Sequence, residues 1–433
     1  MNCRFLYKAT VAALIFNAGQ AYAETAMPDQ KILESLQETI RQQQERLDSQ
    51  AGRIRAQGEL LHRLSEQLDE MQKQPPVAAN ASAVQSEVMP AQAVSGDDRI
   101  SLSISGQINR AMNIINDGAS TRLYHIDSDV SNTRLRFVGK AKVDSDTVLG
   151  AKLEFAIAPD ESSQVSQRNQ TPGDYLNVRW AEVSLDSTKY GRLSIGKGDT
   201  ASNTTAEQDL SRTDVVQYAS ISDIAGGMLF REEGAGRPLT TTRVADVFKD
   251  GDGLSRQSRL RYDSPKFYGF TLSGSLVSNQ QSDIAVSWSG EGYGFRSVGA
   301  FAVSNPKLSD PSLQYDGSLS VLHRASGLNL TVSGALLDRK AFKDRTNIYA
   351  KAGWLTNFFG LGFTAFGFDY TRSDNAALQG DRGYSAGAAV VQGFDRFATE
   401  LYVQYRIYHL DRQLPNRAVA DINVGTLGAR IKF

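Results

Sequence analysis

Arginines separated by a single apolar residue recur after about residue 130 of this 433-residue chain. Arg134 and Arg136 form one such pair, and Arg259 and Arg261 form another. Because successive side chains of an extended chain point to opposite sides, the two arginines of a pair face the same side of a strand. A guanidinium group stays charged at every working pH, so such residues attract and orient charged solutes without transferring protons. The pattern therefore indicates charge-based selection.

Carboxylates are concentrated in the longest interval between the predicted strands. About 55 residues separate the strand that ends near Gly198 from the strand that begins near Arg256, and loops of that length are usually functional. We place this interval at about 199–254 and expect its first part to be the acidic one, with Asp199, Glu207, Asp209, Asp214 and Asp223. An acidic loop that faces a basic wall creates a transverse electric field, which favours polar solutes over apolar ones.

The sequence offers little for catalysis, metal binding or cofactor binding. Its histidines are far apart and lack the spacing of metal ligands; they are His62, His125, His323 and His409. No motif places a nucleophile beside any of them. The chain is therefore expected to be neither an enzyme nor a metalloprotein, and to need no cofactor. The formal net charge of −1 at pH 7 indicates no ion preference by itself.

Residues 1–23 are typical of a cleavable signal peptide. Arg4 and Lys8 provide the positive start, and Ala21 and Ala23 form a small-residue cleavage site. The apolar stretch between them is too short to cross a membrane. The mature chain is therefore expected to be exported. Because the only cysteine, Cys3, is removed with the signal, the mature chain has no disulfide.

Residues 24–74 are predicted to form an α-helical coiled coil. Core positions recur at intervals of three and four over about six heptads, and all are apolar except Gln43, Gln50 and Gln57. The predicted core residues are Leu33, Leu36, Ile40, Leu47, Ile54, Leu61, Leu64, Leu68 and Met71. An amphipathic helix folded onto the rest of the chain is the alternative, but the narrow seam and the charged remaining faces favour self-association. Residues 75–96, which begin with two prolines, are predicted to be a flexible linker.

Residues 97–433 are predicted to form an antiparallel β-barrel of about sixteen strands that spans a membrane. Short alternating stretches recur about every twenty residues, separated by clusters of turn residues. A soluble sandwich would show the same alternation. The export signal, the aromatic residues at the ends of the stretches and the terminal Phe433 favour a barrel in lipid, where aromatic rings form girdles at both interfaces.

Several of these stretches resemble the strands of Gram-negative general porins in sequence, order and spacing. They include SNTRLRFVGKAKV, VLGAKLEFAIA, YLNVRWAEVSLDSTKYGRLSIGKGDT, SRQSRLRYDSPKFYGFTLSGS and the terminal GARIKF. The resemblance implies a sixteen-stranded homotrimer whose long loop after the fifth strand folds into the barrel. It also implies that Arg134 and Arg179 belong to the basic pore wall. Arg136, Lys152, Arg259 and Arg261 are added to that wall from strand parity alone.

The expected function is that of an outer-membrane porin, a water-filled channel for passive diffusion of small hydrophilic solutes and ions. A substrate-selective channel for a charged solute is one alternative. A barrel-anchored coiled-coil envelope tether or adhesin is another. The expected partners are outer-membrane lipid, two further copies of the chain, and a cell-wall or periplasmic partner of the coiled coil. We expect the bacterial outer membrane as its location, with the helix in the periplasm, and no nucleic acid.

Overall fold

The computed structural model describes residues 41–42, 93–96, 99–249, 251–307, 312–412 and 418–433. The predicted signal peptide, all the predicted core residues of the coiled coil and most of the predicted linker lie outside the described residues. Within the described residues, no helix combines the length and the apolar character that crossing a membrane requires.

The described residues form short helices and 21 strands. Between residues 99 and 433, the described helical segments are α1 (Val244–Val247) and the 3-10 turns Asp129–Ser131, Ile221–Ile224, Ser278–Gln280 and Asp395–Phe397. The strands are β1 (Ala93–Gly96), β2 (Ile100–Asn116), β3 (Thr121–Asp127), β4 (Arg134–Lys142), β5 (Thr147–Ile157), β6 (Leu176–Ser187), β7 (Gly191–Asp199), β8 (Leu229–Glu232), β9 (Leu239–Arg243), β10 (Arg256–Asp263), β11 (Phe270–Val277), β12 (Ser282–Gly292), β13 (Phe295–Asn305), β14 (Ser312–His323), β15 (Leu328–Arg339), β16 (Arg345–Thr356), β17 (Thr364–Asp374), β18 (Arg382–Phe394), β19 (Thr399–Asp411), β20 (Val419–Ala420) and β21 (Ile422–Lys432).

Sixteen of the described strands form a closed antiparallel barrel, which includes every strand except β1, β3, β8, β9 and β20. Each barrel strand pairs with the next along the chain, and β21 closes the ring on β2. In that closing pair, Lys432 lies opposite Gln107 and Asn423 lies opposite Asn116. The prediction of a barrel of about sixteen antiparallel strands is confirmed.

The strands turn their apolar side chains outward and their polar side chains inward. In β15, Leu328, Leu330 and Val332 are exposed, whereas the alternating Asn329 and Thr331 are buried. A protein surrounded by water buries its apolar face, because removing apolar surface from water is favourable. This arrangement is the reverse, and it suits a barrel whose outer face contacts lipid and whose interior is polar.

The short strand β1 lies within the segment predicted to be a flexible linker. It pairs with the first part of β2, and Ala93 lies opposite Ile104. Phe433 exchanges backbone hydrogen bonds with Gly106, at N···O distances of 2.7 and 3.0 Å. The pairing of β21 with β2 covers Gln107 to Asn116 and does not include the edge formed by the residues of β2 before Gly106. Strand β1 pairs with that edge, because unpaired edge groups favour a further strand.

The long connection between β7 and β10 covers residues 200–255, nearly the interval predicted at about 199–254. Its first part, residues 200–228, runs along the barrel wall, and its second part forms the hairpin β8–β9 and the helix α1. Strand β20 adds to the hairpin to make a three-stranded sheet. Apolar residues of this connection, such as Phe230 and Phe248, share one buried cluster with the wall residues Tyr402 and Tyr408.

Candidate functional site

The loop 200–228 begins by crossing the inner faces of β12 and β14. Its backbone amide at Ser202 donates to the Asp283 carboxylate of β12 at 2.9 Å. Further on, the amide of Gln208 donates to the Ser318 hydroxyl of β14 at 2.9 Å. Asp283 and Ser318 are inward-facing, buried strand residues. The loop therefore lies inside the barrel, where inward-facing side chains satisfy backbone groups that would otherwise be buried without partners.

The middle of the loop is attached to a buried lysine of β16. The ammonium group of Lys351 forms an ion pair with Asp209. It also donates to the Thr213 hydroxyl at 3.0 Å and to the Gln217 carbonyl at 2.9 Å. The Lys351 side chain is completely buried, and that of Asp209 is nearly so. One wall cation thus connects to three points of the loop.

The end of the loop reaches β19 and the beginning of the ring. Tyr408 donates its hydroxyl to the Ile221 carbonyl at 2.6 Å, and Asn113 of β2 donates to the Ile224 carbonyl at 2.7 Å. The loop therefore covers the inner wall from β12 through β16 and β19 to β2. Most of β4, β5, β6 and β7 lies outside that arc.

A polar space of about 480 Å³ lies between the loop and the wall that the loop leaves uncovered. Its basic residues are Arg134, Arg179 and Arg256, which belong to β4, β6 and β10. Its acidic residues are Asp129, Glu161, Glu207, Asp214, Asp223 and Asp252, which all belong to loops. Charges of opposite sign thus face a common space, with the arginines on strands and the carboxylates on connections.

The arginines of the wall share a single buried carboxylate. Glu154 of β5 lies 2.5 Å from Arg136 Nε, 2.7 Å from Arg179 Nε and 3.8 Å from an Arg134 guanidinium nitrogen. The Glu154 side chain is not exposed at all, whereas those of Arg134 and Arg179 retain 17% and 14% of their accessible surface. One negative charge therefore holds three positive charges, which leaves this part of the wall with surplus positive charge.

A β-bulge in β6 allows Arg179 to face the interior. The pairing with β5 places Trp180 opposite Glu154 and Val178 opposite the next residue, Phe155, so Arg179 is an extra residue. In a regular strand, Arg179 and Trp180 would point to opposite sides. The bulge re-aims the extra residue, so both side chains lie against the inner wall.

The remaining predicted wall residues have partners away from the open space. Arg259 is buried and forms an ion pair with Glu182. Arg261 pairs with Asp263 and donates to the Thr200 carbonyl at 2.6 Å, so it holds the first residue of the loop. The ammonium group of Lys152 lies over the ring of Trp180. These residues face inward, but they do not line the 480 Å³ space.

The five predicted acidic residues separate into two groups. Glu207, Asp214 and Asp223 line the space. Asp209 lies against the wall with Lys351, and Asp199 is the last residue of β7. The Asp199 carboxylate forms an ion pair with Arg256, whose Nε lies 3.0 Å away. Asp199 belongs to β7; for the other four residues, position along the loop, which alternately approaches the wall and the space, accounts for this division.

Four charged residues of the site were not identified from the sequence: Asp129, Glu161, Asp252 and Arg256. Arg256 shares the parity of the outward-facing Leu260, and it reaches the space because it begins its strand. The two acids Asp129 and Glu161 come from other loops. Burial raises the pKa of Asp129 well above its ordinary value, and the hydrogen bond and charge of Glu161 raise it further.

Among the described residues, no group of three or more His, Cys, Asp or Glu side chains is arranged to hold a metal ion.

Comparison with known proteins identifies the family. The model of the Gram-negative porin family matches residues 77–430. The anion-selective porin from Comamonas acidovorans has a similar structure, with a TM-score of 0.54 at 14% identity, covering 77% of this chain and 100% of that one. OmpT of Vibrio cholerae has a TM-score of 0.51 at 12% identity, covering 78% of this chain and 100% of that one. The outer membrane channel DcaP of Acinetobacter baumannii has a TM-score of 0.50 at 11% identity, covering 78% of this chain and 99% of that one. No curated protein matches the sequence.

The family match covers the whole barrel except the last two residues of β21, and the barrel has the closure and the outward apolar face that a channel in the outer membrane requires. The chain therefore belongs to the Gram-negative porin family and is an outer-membrane channel for the diffusion of solutes.

Proposed function

We propose that the space between the loop 200–228 and the wall of β4, β6 and β10 is the constriction of the channel. Small hydrophilic solutes and ions pass it passively, without catalysis, and charge and size decide which of them pass. The proposal rests on one observation: Arg134, Arg179 and Arg256 face the loop carboxylates across a space of about 480 Å³ in volume. A field between opposed charges orients water and polar solutes and disfavours apolar ones.

Replacing Arg134 or Arg179 with Ala is expected to move ion selectivity toward cations. Removing one unit charge about 8 Å from a passing ion changes its energy by about 0.5 kcal/mol in water, so the anion-to-cation permeability ratio should fall about two- to fivefold. The measurement is the reversal potential of the purified mature protein in a planar bilayer under a salt gradient. Because salt screens such charges, the shift should shrink as ionic strength rises.

Arg372→Ala is the matched control, since it removes the same charge from an exposed side chain near the end of β17. It should leave the reversal potential almost unchanged. Equal potentials for wild type, Arg134→Ala and Arg179→Ala would contradict the constriction, and they would place the diffusion path elsewhere in the barrel.

We further infer a homotrimer with an N-terminal periplasmic coiled coil. Family membership supports the trimer, and the heptads from Leu33 to Met71 support the coiled coil. Three helices tethered to one trimer meet at high effective concentration, so barrel and helix association would reinforce each other. A tether or adhesin role for that segment requires a cell-wall or periplasmic partner.

A peptide of residues 24–74 is expected to be helical and associated at millimolar concentration. Its two glycines, Gly52 and Gly58, each weaken an isolated helix by about 1 kcal/mol, so we expect the helix to form only when the peptide associates. Circular dichroism and sedimentation equilibrium measure both properties. Exchanging Leu47 and Ile54 for Ser should abolish association, whereas an exchange at a charged outer position should not. A wild-type peptide that stays monomeric and unfolded would contradict the coiled coil.

A further inference from the structure

Trp180 lies at the centre of the basic wall and is 7% exposed. Four cations surround its ring, three from β4, β5 and β6 and one from the first residue of β10. Their distances from the ring centroid are 3.5 Å for Lys152 Nζ, 4.9 Å for Arg256 Cζ, 5.6 Å for Arg179 Cζ and 5.7 Å for Arg136 Cζ. Cations within about 6 Å of an aromatic face are attracted by its quadrupole, and the attraction is stronger where water is excluded.

The carboxylates nearby are too few for these cations. Glu154 serves Arg136 and Arg179, and it also serves Arg134, while Asp199 serves Arg256. Among the described residues, no carboxylate lies within salt-bridge distance of Lys152, whose ammonium has the closest contact with the ring. The negative face of the indole therefore takes the place of missing counter-ions, without adding a negative charge of its own.

The β-bulge makes this arrangement possible. It turns Arg179 and Trp180 to the same side of β6, so the guanidinium and the ring lie side by side against Glu154. A regular strand would place one of them in the lipid. The bulge thus brings the Arg179 guanidinium into the wall beside the Trp180 ring.

We propose that Trp180 is a positioning residue for ion selectivity: its ring holds surplus cations together in the wall, and so maintains the positive potential of the constriction. Without the ring, Lys152 and Arg256 repel the other cations and move away from the wall. This proposal rests on the constriction proposed above.

The test compares Trp180→Phe with Trp180→Leu by reversal potential under a salt gradient. The leucine variant keeps an apolar side chain but removes the aromatic face, and its anion-to-cation permeability ratio should fall about twofold, as for the partial loss of one nearby charge. The phenylalanine variant keeps a weaker aromatic face and should retain most of the selectivity. Trp354→Leu, which changes a partly exposed tryptophan of β16, should have no effect.

Fluorinated tryptophan provides a test that leaves the fold intact. Fluorine withdraws electron density from the ring face at almost constant volume, so the permeability ratio should fall stepwise with the number of fluorines. The chain has three tryptophans, and the same labelling of the Trp180→Phe variant shows what Trp288 and Trp354 contribute. The stepwise fall should be absent from that variant.

The outcomes separate this proposal from the constriction itself. A fluorinated wild type with unchanged selectivity, together with an effective Arg179→Ala, would overturn the role of Trp180 and leave the constriction standing. Phenylalanine and leucine variants with equal shifts would also overturn it, because packing alone would then explain them. If Arg179→Ala is also without effect, the constriction fails. A stepwise fluorine effect with an effective Arg179→Ala supports both.

Discussion

The Lys351→Met variant is expected to lose about 3 to 5 kcal/mol of folding stability, the usual penalty for breaking a buried ion pair. The Lys351 side chain is fully buried, so Asp209 would keep its charge in the interior without a counter-ion. Thr213 and the Gln217 carbonyl would lose their donor as well. The loop 200–228 should detach in its middle, which would widen the constriction and increase conductance and current noise. Thermal unfolding and single-channel recording measure the two effects.

The double variant Lys351→Met with Asp209→Asn removes both charges of the ion pair. It therefore separates the loss of the attraction between them from the cost of leaving the Asp209 charge buried without a counter-ion. Because no uncompensated charge remains, it should recover much of the lost stability, although the loop keeps fewer attachments. Lys343→Met, which changes an exposed lysine, is the control and should unfold like the wild type. An unfolding midpoint for Lys351→Met equal to that of the wild type would show that the loop is held mainly by its other contacts.

The Glu154→Gln variant should change selectivity in the opposite direction from the arginine variants. The carboxylate is fully buried and serves Arg134, Arg136 and Arg179 together. Its neutralisation leaves three guanidinium groups with one fewer negative charge, so the anion-to-cation permeability ratio should rise several-fold. Stability should fall by about 3 kcal/mol, near the lower end for a buried pair, because the partly exposed Arg136 can turn toward water.

Asp369→Asn is the matched control for this variant. Asp369 is also a fully buried strand carboxylate paired with an arginine, Arg406, but it belongs to β17, in the part of the wall that the loop covers. It should lose similar stability without a change in reversal potential. If both variants shift the potential equally, the effect would come from general loosening of the barrel, and the central role of Glu154 would be contradicted.

The strands and their two faces could be predicted because they depend on a local rule. Successive side chains of a strand alternate, and lipid penalises charge, so the order of apolar and polar residues fixes which side faces outward. This reasoning is sufficient for Leu260 and Arg261, or for the closing strand that ends near Phe433. It fails at Arg179, because a bulge breaks the alternation, and the resemblance to porins was needed to include that residue.

Short-range periodicity and composition were sufficient to predict the class of the protein: a membrane-spanning barrel of about sixteen strands with a long acidic connection. Which charges meet depends on the tertiary structure. Asp209 and Asp214 are five positions apart in one loop, yet the first lies against Lys351 in the wall and the second lines the open space. Arg256 and Asp129, far apart in the sequence, border the same space. Contacts between distant segments depend on how the loop packs inside the closed ring, and no local pattern encodes that packing.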